Sequence, residues 1–170
     1  GVAPRAITFT YGPHGKPRLG GKHASCLRFN VSHAGEVAAL AFADRGEIGV
    51  DIEALRPVPD AEAIARGFGS MAERSAWDSL APRQKLLGFF NWWTRKEAFV
   101  KACGGGLSAP LDTFDVSFTP GTPARLLRVA GLTGDQAGWT LHAFIPGPRL
   151  AGAVACMAEE REAETRVACD

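Results

Sequence analysis

The chain has 170 residues, 46% of them hydrophobic and 22% charged, the size and make-up of a globular domain rather than a disordered segment. Its formal net charge of +1 supplies no bulk attraction for nucleic acid, so an anion site must come from a few placed groups. No apolar run approaches the ~18 residues of a membrane span, and Gly1-Val2-Ala3-Pro4 lacks a basic-then-apolar leader pattern. In chain order, Arg5 to Thr10 reads as a short strand and Tyr11 to Gly21 as a Gly/Pro/Lys-rich loop. Leu27, Phe29 and Val31 alternate with polar residues, the period-two pattern of a half-buried strand. Glu36 to Phe42 is another strand candidate. With Asp44-Arg45-Gly46 as its turn, it is expected to form a hairpin with the segment carrying Ile48, Val50 and Ile52.

Helical signals follow. Ser70 with Glu73 three residues on forms a capping-box pattern, placing a helix over Met71 to about Leu80. Pro82 suits the first position of a second helix, which runs to Cys103 and stops at Gly104-Gly105-Gly106. Phe114 to Phe118, Trp139 to Ile145 and Leu150 to Cys156 read as closing strands. Strands, helices and strands in that order predict an α+β domain. Cys26, Cys103, Cys156 and Cys169 are widely spaced, with no Cys-x-x-Cys pair. They are expected to be reduced thiols of a cytoplasmic protein rather than a zinc site or disulfide framework.

Chemistry concentrates in three places. In Gly49-Val50-Asp51-Ile52-Glu53 the two acids project to one face of a strand, roughly 7 Å apart. Such a pair is either a solvated strand face or a site for a hard cation such as magnesium, which takes oxygen ligands. On the second helix, Phe89, Trp92, Trp93, Phe99, Val100 and Cys103 form an apolar stripe. Glu97 and Lys101, four residues apart on its flank, form either a surface ion pair or an acid and a base at the rim of a cleft. Lys96 falls near the middle of the stripe and needs a partner if buried, unless its stem snorkels out. Finally, Phe29-Asn30-Val31-Ser32-His33 ends a strand in a Ser-His pair. That pair could meet a phosphate, or His33 could be a hydrogen-bonded structural residue. No Gly-x-Ser-x-Gly elbow of a serine hydrolase is present.

Gly15-Lys16-Pro17, Phe29 to His33, Gly49 to Glu53 and Trp93 to Lys101 occur in an order and spacing that resembles the Sfp-type 4′-phosphopantetheinyl transferases. The resemblance is strong from Thr8 to Leu107 and rests on strand pattern beyond. It implies a pseudo-twofold α+β fold, with residues 1–46 as the remnant of a first half and 47–170 as the complete second half. It also implies Mg2+-dependent transfer of the phosphopantetheinyl arm of coenzyme A to a serine of an acyl or peptidyl carrier protein, releasing adenosine 3′,5′-bisphosphate. Carried over, Asp51, Glu53 and Glu97 hold the magnesium, and Ser32 and His33 contact phosphate. Lys16 and Pro17 line the adenine end. Glu97 also deprotonates the carrier serine, and Lys101 steadies the pyrophosphate and assists its departure. The expected protein is a cytoplasmic monomer with no nucleic-acid or membrane partner. Two other readings compete: a catalytically silent fragment that binds a carrier protein, and a magnesium-dependent phosphohydrolase.

Overall fold

The structure, a computed structural model, describes residues 2–24, 27–106, 109–131 and 138–157. Its centre is one long helix laid across a three-stranded antiparallel sheet. The sheet consists of β5 (Glu47–Ala54), β9 (Leu150–Met157) and β8 (Trp139–Phe144), with β9 in the middle. The helix is α3 (Lys85–Cys103), entered through a 3-10 turn at Pro82–Gln84 and ended by Gly104 at φ 72°. Only glycine takes that left-handed geometry without strain.

Alternation in β5 splits the sheet into two differently built faces. Gly49, Asp51 and Glu53 lie opposite Ala155, Ala153 and Ala151 of β9, and these small residues form the seat of α3. Ala98 and Ala102 of the helix are completely buried, as is Ala153. A Cβ at Gly49 would stand 2.1 Å from the Ala98 carbonyl oxygen and 2.3 Å from the Ala102 nitrogen. The helix therefore seats on bare backbone, closer than any side chain allows. On the other face, Ile48 and Val50 pack against a hairpin of β3 (Arg28–Ala34) and β4 (Val37–Ala43).

That hairpin corrects two expectations. The predicted pairing of the 36–42 strand with 48–52 does not form: β4 turns back at Gly35-Glu36 onto β3, while β5 pairs with β9. The β3 face is also inverted, since Asn30 and Ser32 are buried and Val31 is exposed. The physical reason is hydrogen bonding. The β5 amides of Val50 and Ile52 find no backbone ladder towards β3, so Asn30 Oδ1 accepts from Val50 N at 2.9 Å and Ser32 Oγ from Ile52 N at 3.2 Å. Two buried polar side chains replace a strand, as buried amides require.

The remaining elements frame this centre. Pro4–Ala6 is a 3-10 turn rather than the start of a strand, and the predicted loop contains β2 (Pro17–Leu19), paired with β1 (Phe9–Tyr11). The helix α1 (Ala61–Phe68) was not anticipated, although Ala61, Ile64, Ala65 and Phe68 follow helical spacing. The α2 helix (Met71–Asp78) has the expected capping box: Ser70 Oγ accepts from Glu73 N at 3.2 Å and Glu73 Oε2 from Ser70 N at 3.1 Å. Strand β6 (Phe114–Val116) pairs with β7 (Leu126–Val129).

Lys96, entirely buried, meets Glu73 at 2.8 Å and donates to the carbonyls of Leu111 and Phe114. Glu73 Oε1 also accepts from Val116 N at 2.9 Å. One buried ion pair thus ties α2, β6 and α3 together, and the lysine in the apolar stripe has its partner. Cys103 and Cys156 are free thiols, whereas Cys26 and Cys169 lie outside the described residues. Among the described residues, no helix is long and apolar enough to cross a membrane.

Candidate functional site

Because α3 seats so closely on β5, one row of the helix faces one row of the strand. Trp93, Glu97 and Lys101 recur every four residues along the helix, and Asp51 and Glu53 two apart along the strand. Together with Ser32 and His33 they line a single cleft of about 400 Å³. Six of the eight predicted site residues, those on β3, β5 and α3, therefore converge in one place.

Pairing within the cleft is specific. Lys101 Nζ lies 2.7 Å from Asp51 Oδ1 and 3.2 Å from Ser32 Oγ. The ammonium thus pairs with the strand acid, not with Glu97 four residues back on its own helix. Ser32 Oγ also donates to Asp51 Oδ1 at 3.0 Å. The second oxygen, Asp51 Oδ2, is buried and has no hydrogen-bond partner. An orphaned carboxylate oxygen is costly in a protein interior unless something bound there meets it.

The electrostatics point the same way. Burial pushes the Asp51 carboxyl above the usual carboxylate range, against the pull of Lys101 and Ser32. Burial and then repulsion from Asp51 raise Glu53, which the Trp93 indole N–H partly offsets by donating to it. Glu97 is likewise raised by burial and by the charge of Asp51, with Glu53 adding to the effect. Three acids that resist ionising together hold protons or share a cation.

The donor set fits a hard divalent ion: oxygen ligands only, an orphaned oxygen, and mutual repulsion that a cation would relieve. Among the described residues, no three His, Cys, Asp or Glu side chains are gathered closely enough to enclose an ion as they stand. Lys101 instead supplies the positive charge at Asp51.

Lys16 and Pro17 line a neighbouring cleft of about 210 Å³ with His14, Asn30 and Gly104, and Val31 and Lys101 border both clefts. The Lys16 head is already committed. It meets Glu47 at 2.6 Å and donates to Ala102 O at 2.6 Å, a cation closing the C-terminal end of α3. Its charge is therefore spent on Glu47 and the helix end. Asn30, Trp93 and Gly49 were not singled out from the sequence as shaping the site. The available signal for Asn30 and Ser32 was a polar pair two apart in a strand, which marks one face.

The chain matches the family model described as "4'-phosphopantetheinyl transferase superfamily" over residues 47–156. It is 38% identical over 156 residues to the 4'-phosphopantetheinyl transferase HetI of Nostoc sp., covering 91% of this chain and 62% of that protein. Against the 4'-phosphopantetheinyl transferase AcpT of Salmonella typhimurium it is 41% identical over 95 residues, 56% of this chain and 48% of the relative. Against the 4'-phosphopantetheinyl transferase Sfp of Bacillus subtilis it is 38% identical over 110 residues, 65% and 47% respectively. The chain thus spans between about half and three fifths of the length of these curated relatives.

Proposed function

We propose, from the premise that this chain belongs to the 4′-phosphopantetheinyl transferase superfamily, that its cleft serves transfer of the phosphopantetheinyl group of coenzyme A to a carrier-protein serine. The observation that carries the reading is the orphaned, buried Asp51 Oδ2 in a cleft shared with Glu53, Glu97 and Lys101. Asp51, Glu53 and Glu97 would hold a divalent cation, magnesium or manganese. When bound, that ion would neutralise the charge of a pyrophosphate.

The chain's own residues supply the rest. Glu97, raised by burial and by its acidic neighbours, is suited to accept the proton of the carrier serine. The serine oxygen then forms a bond to the β-phosphorus of coenzyme A, and the bond from that phosphorus to the bridging oxygen breaks. The electron pair leaves with adenosine 3′,5′-bisphosphate. Lys101, its side chain 30% exposed, stands at the border of both clefts, so it can leave Asp51 and donate to the departing phosphate. His33, exposed at the cleft wall, offers a further contact to phosphate. Phosphoryl transfer depends mainly on such alignment and charge neutralisation.

The test is incubation of the chain with coenzyme A, Mg2+ and an apo-carrier protein. The carrier is expected to gain the mass of one phosphopantetheinyl group. A carrier of unchanged mass would favour a silent carrier-binding domain, and nucleotide release without any carrier would favour a phosphohydrolase.

A further inference from the structure

We propose that Glu47 is a positioning residue for the nucleotide half of coenzyme A: by clamping Lys16 and Arg18 it fixes the β1–β2 hairpin as one wall of the cleft beyond Lys101. The inference rests on the transfer reading above. In-line displacement puts the attacking and leaving oxygens on opposite sides of the phosphorus. Glu97, which would take the serine proton, lines the catalytic cleft but not its neighbour, whereas Lys101 lines both. The leaving nucleotide therefore departs towards the cleft of about 210 Å³ bordered by His14, Lys16, Pro17 and Gly104.

That cleft lies between two parts of the chain, the turn before β2 and the glycine-rich end of α3. They meet tightly: a Cβ at Gly106 would stand 2.7 Å from His14 Cβ. Yet the hairpin has little apolar anchorage. Every residue of β1 is exposed and none of β2 is buried, and Phe9, 52% exposed, meets Phe29 edge-on at 5.8 Å. A polar clamp holds it instead. Glu47 opens β5 on the same face as Gly49 and Asp51. Its Oε2 accepts from Lys16 Nζ at 2.6 Å and its Oε1 from Arg18 Nη2 at 2.9 Å. Lys16 Nζ also donates to Ala102 O at 2.6 Å. One carboxylate thus joins the hairpin, the central sheet and the end of the catalytic helix. Against the upward push of burial, Lys16 and Arg18 keep the Glu47 carboxyl below the usual carboxylate range. By its charge alone, an acid behind the wall of an anion cleft opposes binding. Its contribution is therefore the clamp.

The experiment uses the whole chain and its Glu47→Gln variant, which keeps the shape of the side chain and removes its charge. Binding of adenosine 3′,5′-bisphosphate is measured by calorimetry, Mn2+ binding by electron paramagnetic resonance, and hairpin protection by hydrogen exchange. Glu47→Gln is expected to weaken bisphosphate binding about ten-fold, as loss of a preorganised wall would, and to leave Mn2+ affinity unchanged. Exchange over residues 9–19 should quicken while α2 is unaffected. In the transfer assay the loss should fall on KM for coenzyme A rather than on kcat. Should Glu47→Gln fail to fold, Arg18→Met, which leaves Lys16 on Glu47, should show the same pattern to a smaller degree. Tighter bisphosphate binding in Glu47→Gln would make Glu47 a competitor for Lys16 and overturn the proposal. So would faster hairpin exchange with bisphosphate affinity unchanged. Wild-type chain that binds no bisphosphate at millimolar concentration would instead overturn the transfer reading and the nucleotide role with it, a result told apart by hairpin exchange, which needs no ligand.

Discussion

Gly49→Ala adds one methyl group and tests why the helix and strand acids meet at all. The new Cβ would stand 2.1 Å from Ala98 O, 2.3 Å from Ala102 N and 2.9 Å from Ala102 Cα. All three obstacles are backbone, so no rotamer change can relieve them. Reaching an ordinary contact of 3.4 Å requires α3 to retreat from β5 by about 1.3 Å, the difference between 3.4 and 2.1. Overpacking of this kind costs ~1–3 kcal/mol, and more where the backbone must move. For a domain of this length each kcal/mol lowers the melting temperature by about 2–4 °C. Glu97 and Lys101 move with Ala98 and Ala102, and displacement by ~1 Å at a catalytic centre can cost about 100-fold in turnover. Thermal melting by circular dichroism and single-turnover transfer assays on the same variant measure both effects. Adding Ala98→Gly should not rescue either, because the obstructing carbonyl belongs to the backbone. A Gly49→Ala protein with wild-type melting and wild-type turnover would refute the close-seating argument.

Other expectations follow from the same geometry. Lys96→Met leaves Glu73 buried without its ion partner and should cost ~3–5 kcal/mol, read as a lower midpoint in urea. A variant that melts like wild type would show that the pair contributes little. Asp115 is held below the usual carboxylate range by Arg128, against the upward push of burial. Its folded-state pKa is thus depressed, and the stability it contributes is present above the unfolded carboxylate range and lost as pH falls. Arg128→Ala should move the acid-unfolding midpoint to higher pH, and an unmoved midpoint would remove this pair from the acid response. Lys101→Met should lower turnover far more than Mn2+ affinity, since the ammonium occupies the same carboxylate that the cation would use. The reverse pattern would make Lys101 a structural residue.

Much of the site was legible because it lies in short motifs on regular elements. The two-residue spacing of Asp51 and Glu53 predicts a shared strand face, and the four-residue spacing of Glu97 and Lys101 predicts a shared helix face; both are observed. The capping box at Ser70 and the glycine stop at 104 depend on local chemistry and were equally readable. What escaped depends on partners distant in sequence. The turn at 44–46 suggested a hairpin, yet β5 takes its ladder from β9, about a hundred residues on, where a run of alanines matches the helix seat. Periodicity also misled at β3. Phe29 and Val31 look like the inward face until the unpaired amides of β5 are counted, and those amides favour Asn30 and Ser32. Nor could helical spacing reveal that Lys101 reaches across to Asp51 rather than back to Glu97, or that Lys16 is spent on Glu47 and the end of α3.

Anomalous diffraction from a crystal of this chain soaked in Mn2+ and coenzyme A would address the proposed cation site most directly. A metal peak contacting Asp51 Oδ2 with Glu53 and Glu97, and Lys101 Nζ moved from Asp51 to the pyrophosphate, is the expected result. A peak elsewhere, or an empty cleft with Lys101 still on Asp51 while coenzyme A is bound, would contradict it.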